Sequence, residues 1–169
     1  MSAILLTTIR KPAKTTRTRS ADLAADTRAA LGKLVQKHGG SVIHTKGETA
    51  VAWFEQSARA LECALGLQGC WAERNSAAAD GERLLVRMSV HVSEAANEQA
   101  QISDEEAKAA SLILDATPFG RVFLSREAFM QSQAAEVCGF IPLGFESFTG
   151  REEPLEIFEA ISVPAVWRH

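Results

Sequence analysis

The stretch "SVIHTKGETAVAWF", residues 41–54, limits the fold more than any other part of this chain. Two short runs of alternating apolar residues flank a Lys-Gly turn that is followed by the carboxylate of Glu48. Gly supplies the positive φ that a tight hairpin turn needs. Helical periodicity stands on both sides of this hairpin. A hairpin that interrupts a β-α alternation suits an antiparallel or mixed sheet with helices packed on one face, an α+β ferredoxin-like βαββαβ core.

The flanking segments fit that frame. "AILLTTI", from Ala3 to Ile9, reads as a buried strand, and the basic stretch after it, with Pro12 and several Thr, as a loop. In the helix that follows, Leu23, Thr27, Leu31, Leu34 and Val35 share a face, Ser20 or Asp22 is placed to cap the start, and Gly39 supplies a left-handed stop. A second helix from Ser57 to about Asn75 is apolar around most of its circumference and is expected to be sandwiched. "LLVRMSVHV" alternates Leu84, Val86, Met88, Val90 and Val92 against Leu85, Arg87, Ser89 and His91, the pattern of a half-buried strand. Ser103 and Glu106 have capping-box spacing for a helix that ends before Pro118. "RVFLS", "REAFMQSQA", "VCGFIPLGFESF" and "PLEIFEAI" read as strand, short helix and a final pair of strands. Residues 1–161 form the expected domain and 162–169 a tail or linker.

Composition excludes several classes. The 169 residues are 46% apolar and 23% charged, enough for one core, and the net charge of −3 gives no general pull toward nucleic acid or an anionic membrane. No run approaches a membrane span, and the three cysteines, an odd number with no CxxC pair, argue against a secreted disulfide framework, so a cytoplasmic location is expected. Cys63 and Cys70 lie seven apart on a helix and are read as buried structural thiols on one face. The four histidines have no zinc spacing, and no GxSxG or P-loop string occurs. Trp53 and Trp71 read as packing residues rather than a ligand platform.

Five fragments, in order, resemble the catalytic domain of class III nucleotidyl cyclases. "GGSVIHTKGETAVAWF" is similar to that family's Gly-x-x-x-Lys-x-x-Gly-Asp hairpin and "ALECALGLQ" to its next helix. "LLVRMSVHV" is similar to its Val-Arg-Ile-Gly-Ile-His strand, "PFGRVFLSREAF" to its Pro-Gly-x-Ile-x-apolar-Ser segment, and "LGFESFTGREEPLEIFEA" to its Leu-Gly-x-x-x-apolar-Lys-Gly ending. "LLTTI" sits where the family has Phe-Thr-Asp-Ile. The resemblance covers nearly the whole chain and implies the cyclase fold.

The chemistry it implies is incomplete here. Cyclising a nucleoside triphosphate needs divalent cations that bridge nucleophile and leaving pyrophosphate, held in the family by two carboxylates. Those metal positions fall on Thr8, a neutral hydroxyl, and Glu48, one methylene longer than the usual Asp. The purine-reading positions fall on His44 and Gln101. The ribose-orienting Asn falls on Lys108, and the Arg that stabilises the transition state falls on Leu112. Losing one such charge-stabilising group costs about 3–4 kcal/mol in barrier height. The Gly- and Ser-containing phosphate turn is replaced by "RKPAKTTRTRS", where Arg10, Lys11 and Lys14 can attract an anion, although a solvated loop is the plainer reading.

The expectation is therefore a catalytically degenerate cyclase-homology domain that acts as a dimerisation, signalling or regulatory module, with residual nucleotide binding as its remaining chemistry. The other expectation is a divergent active adenylate or guanylate cyclase that uses Glu48 with unusual supporting groups or pairs with a complementary subunit. Partners are a second copy or another cyclase-type domain, and not nucleic acid. No cofactor is required, and Mg²⁺ or Mn²⁺ enters only with a bound nucleotide.

Overall fold

The computed structural model describes residues 2–10, 17–78, 83–93, 104–133 and 138–163; of residues 17–21, 23, 93 and 104 it describes only the backbone. The elements run β1 (Ser2–Arg10), α1 (Arg17–Lys37), β2 (Ser41–Lys46), β3 (Thr49–Phe54), α2 (Ser57–Ala77) and β4 (Leu85–Ser93). They continue with α3 (Asp104–Ala116), β5 (Val122–Ser125), α4 (Arg126–Gln131), β6 (Cys138–Glu146) and β7 (Leu155–Ser162). The strands form one sheet in the order β2-β3-β1-β4-β5-β7-β6. Its first four strands are antiparallel neighbours in ferredoxin-like order, β4 and β5 are parallel, and β7 pairs antiparallel with both β5 and β6. The mixed α+β architecture read from the sequence is the one observed. None of the helices among the described residues is long and apolar enough to cross a membrane.

β1 lies inside the sheet, between β3 and β4, because its sequence suits no edge: Ala3 to Leu6 are apolar in succession and all four are buried. Their side chains alternate between two cores. Ala3, Leu5 and Ile9 join Leu31 and Val35 of α1 and Leu61, Ala64 and Leu67 of α2 on one face. Ile4 and Leu6 meet Ala110 and Leu114 of α3 on the other. Full burial of one such side chain contributes about 1.5–3 kcal/mol.

The helices thus cover both faces, not one. This also corrects the reading of β4 as half-buried, since Ser89 and His91 lie under α3 and are buried, while Arg87 is partly exposed at the helix's end. Alternation alone identifies an apolar face but cannot tell whether the polar face is later covered. α1 begins at Arg17, ahead of Ser20 and Asp22, so neither is its cap, and the basic stretch is helical from Arg17 on. Ser103 of the expected capping box lies outside the described residues, as do residues 164–169 of the expected tail. Cys63 is buried but Cys70 is exposed. Near its C-terminal end α2 keeps Trp71 inside while Gly69 and Cys70 pass the margin of the buried face.

The α1–β2 join forms as its two glycines allow. Gly39 has φ +76°. The amide of Gly40 donates to the Val35 carbonyl at 2.8 Å, and that of Gly39 to the Gln36 carbonyl at 3.1 Å, closing the helix. A Cβ on Gly40 would lie 2.5 Å from Cε1 of the buried Phe54 and 2.7 Å from the Trp53 carbonyl oxygen. β2 can therefore leave the helix only with Gly at that position.

Candidate functional site

The hairpin turn consists of Gly47, with φ +60°, and Glu48, while Lys46 belongs to β2 and pairs with Thr49. Glu48 is therefore a turn residue and not the one after the turn. Its carbonyl accepts the Ile9 amide at 3.1 Å, which sets the turn beside the end of β1. The structure brings Thr8 and Glu48 together in this way, with the Glu48 side chain exposed.

Strand pairing then defines a row. Lys46 pairs with Thr49, Thr49 with Thr8, and Thr8 with Arg87, so four adjacent strands present these side chains on the α3 side of the sheet. The Thr8 hydroxyl lies 3.3 Å from that of Thr49. Arg87 donates from Nη1 to the Asp115 carbonyl at 3.3 Å and approaches the Asp115 carboxylate at 3.5 Å. Its guanidinium carbon stands 4.9 Å from the centroid of Phe119, and that of Arg10 lies 5.8 Å from the same ring. Two hydroxyls between two cations thus occupy the place where the resemblance puts a metal carboxylate. Hard divalent cations favour several anionic oxygens, and the neighbouring guanidinium and ammonium groups oppose them electrostatically. Among the described residues no group of three or more His, Cys, Asp and Glu is placed to hold a metal ion.

His44 is exposed on β2 and pairs with Val51, two pairs further along the hairpin than Lys46 and Thr49 and so on the same face. Lys108 and Leu112 lie elsewhere. They project from the outer side of α3, opposite Ala109, Ala110, Ile113 and Leu114, which are buried. There they line an open groove of about 1020 Å³ shared with Thr149 to Glu153 of the β6–β7 turn. Thr149 occupies the place of the Lys in the family's Leu-Gly-x-x-x-apolar-Lys-Gly ending. The groove carries Lys108 and Arg151 against Glu105, Glu152 and Glu153, a net negative set. Lys11 and Gln101 fall outside the described residues.

One chain therefore holds two separate constellations. Thr8, Glu48, His44 and Arg10 gather around the β2–β3 side of the sheet, and Lys108 and Leu112 face a groove toward the β6–β7 side. Lys46, Thr49, Arg87 and Thr149 were not singled out from the sequence as site residues. The first three become neighbours only through strand register. The Thr149 departure is visible in the motif itself.

No protein-family model matches the sequence, and no curated protein matches it. Solved structures do. An adenylate/guanylate cyclase/hydrolase from Silicibacter pomeroyi superimposes with a TM-score of 0.81 at 21% identity, over 97% of this chain and 96% of that one. The adenylyl cyclase CyaB from P. aeruginosa gives 0.78 at 15% identity, over 97% and 95%. The guanylate cyclase domain of RhGC from Catenaria anguillulae, solved in complex with GTP, gives 0.75 at 11% identity, over 95% and 96%. At these identities the likeness is one of fold, and it spans nearly every element of both chains: this chain has the fold of class III adenylate and guanylate cyclase catalytic domains.

Proposed function

We propose that the chain is a catalytically degenerate nucleotide cyclase-homology domain that acts by association with a second cyclase-type domain. The observation that carries this reading is the row Lys46-Thr49-Thr8-Arg87, which holds two cations and no carboxylate of its own, so that Glu48 at the turn is the single acidic anchor at the two metal positions. The groove beside α3 adds support, because Leu112 and Thr149 supply no cation to a phosphate there and the carboxylates outnumber the bases. A triphosphate undergoing cyclisation would find too little positive charge at one constellation and no anchored metal at the other. No cofactor is needed for this role.

A second reading has its own observation. Glu48 does stand beside Thr8, and the two constellations occupy different surfaces of one chain, an arrangement that suits a site completed by another subunit. On that reading the domain is a divergent cyclase that releases pyrophosphate only with a complementary partner.

Calorimetric titration with ATP and with GTP, with and without Mn²⁺, on protein of measured oligomeric state separates them. The degenerate domain releases no pyrophosphate, alone or mixed with an active cyclase domain; heat without that release is residual nucleotide binding, and no heat at all leaves a scaffold. Metal-dependent binding followed by pyrophosphate release establishes the second reading instead.

A further inference from the structure

α3 packs mainly on β1, β4 and β5 and so covers the middle of its face of the sheet, leaving a margin on either side. At one margin Val51 and Trp53 of β3 touch the core beneath α3 and stay partly exposed. His44 and Lys46 lie beside them on β2, because they pair with Val51 and Thr49. At the other margin Ile141 pairs with Glu159, and Glu159 with Phe123, which packs with Ile113 of α3. Ile141 and Ile161 therefore belong to this same face, and they are 40% and 41% exposed. Neighbouring isoleucines left open on a sheet face are apolar surface that a partner can cover.

The two margins carry opposite charge. At the first, Arg10, Lys46 and Arg87 outnumber Glu48 and Asp115. At the second, the exposed Glu105, Glu146, Glu152 and Glu153 outnumber Lys108 and Arg151. Glu146 faces this way because it pairs with Leu155, which packs against the same core as Ile113. A face whose margins complement each other fits a second copy of itself. Rotation about a twofold axis along the strands sets each margin opposite the other margin of the second copy, so the pair closes after two equivalent contacts. Exposed ion pairs are individually weak, so in such a contact they fix register while the apolar residues supply most of the affinity.

Resting on the reading of a domain that acts by association, we propose that the partner is a second copy docked face to face, with Lys46 of each copy against Glu152 and Glu153 of the other. The cations beside Thr8 are then neutralised by protein carboxylates, and the pair forms without a nucleotide.

Sedimentation velocity of the whole chain over a concentration series tests this. The wild type is expected to dimerise without nucleotide, with a Kd that rises about tenfold between about 50 and about 500 mM NaCl as the pairs are screened. Lys46→Glu and the double variant Glu152→Lys/Glu153→Lys each weaken the dimer by about tenfold or more. All three positions are exposed, so both variants keep the wild-type far-UV circular dichroism. Mixing the two variants restores the dimer, since both contacts of the mixed pair then join opposite charges. A wild-type chain still monomeric at about 100 μM overturns the proposal, as does a dimer that neither reversal weakens, or a mixture that recovers nothing. Pyrophosphate release tests the underlying reading separately. A monomer that releases none refutes the second copy but not association with a different domain, whereas a charge-dependent dimer that releases it upholds the docking and refutes the degenerate reading.

Discussion

Thr8 stands between Thr49 and Arg87, and its neutral hydroxyl makes the metal question one of single residues. Thr8→Asp places a second carboxylate beside Glu48. If missing charge is what limits metal binding, Mn²⁺ affinity followed by water proton relaxation rises at least about tenfold in this variant, about 1.4 kcal/mol. An unchanged affinity would place the limit in the exposed geometry of the turn. The cysteines give a second test. Burial pushes the Cys63 thiol up to about 12. Burial, with the charge of Glu62, lifts Cys138 to about 11. Cys70 is exposed, so a thiol reagent at about pH 8 titrates one cysteine quickly in the native protein and all three after unfolding. His91 supplies a pH dependence. Burial lowers its pKa below 6.5, Glu127 and Glu106 oppose that shift, and Arg151 adds to it. The unfolded chain therefore takes up a proton near 6.5 that the native protein binds only at lower pH. Stability is full above this range and declines as pH falls through it toward the native pKa. Denaturant midpoints at about pH 7.5 and about pH 5.5 should show the loss, and His91→Gln should reduce it. Burial also lowers His38, so part of the slope remains in that variant.

At the scale of elements, two junctions hold the sheet's surroundings in place. Gly40 lets β2 start directly beside Phe54, and Gly40→Ala forces a Cβ against an aromatic ring and a backbone oxygen. The expected cost is about 1–3 kcal/mol, read from the denaturant midpoint, with the hairpin amides losing exchange protection first. On the other side of the sheet, Arg121 holds Glu159 through two bonds of 2.7 Å and so ties the start of β5 to β7. Glu159 is 4% exposed, whereas the Arg121 side chain is about half exposed at 48%. Arg121→Met leaves a buried carboxylate unpaired and should cost about 2 kcal/mol, less than a fully buried pair because water reaches the arginine. Glu159→Gln, which keeps shape and removes the charge, should cost less. Gly39 of the α1–β2 join and Gly47 of the hairpin were legible as turn residues, because positive φ has few alternatives to Gly, whereas the need for Gly40 shows only once Phe54 packs against it. The Arg121–Glu159 pair was not, since charges 38 residues apart meet only after β5 and β7 are paired.

At the scale of the whole molecule, Thr8 with Glu48 and Lys108 with Leu112 are presented on different parts of the surface, so one chain does not bring them together. The periodicities and turn residues by themselves determined the element order of a ferredoxin-like core and the burial of β1, because each depends on neighbours in the chain. The resemblance to cyclase fragments marked the neutral residue at Thr8 and the apolar one at Leu112. Burial of Ser89 and His91 under α3, the turn position of Glu48 and the cationic row through Lys46 and Arg87 were decided only by the tertiary structure. The physical reason is distance along the chain. A side-chain pattern fixes which face of a strand is apolar, but what covers the other face, and which charges stand across from it, depends on strand register and helix docking among residues tens of positions apart.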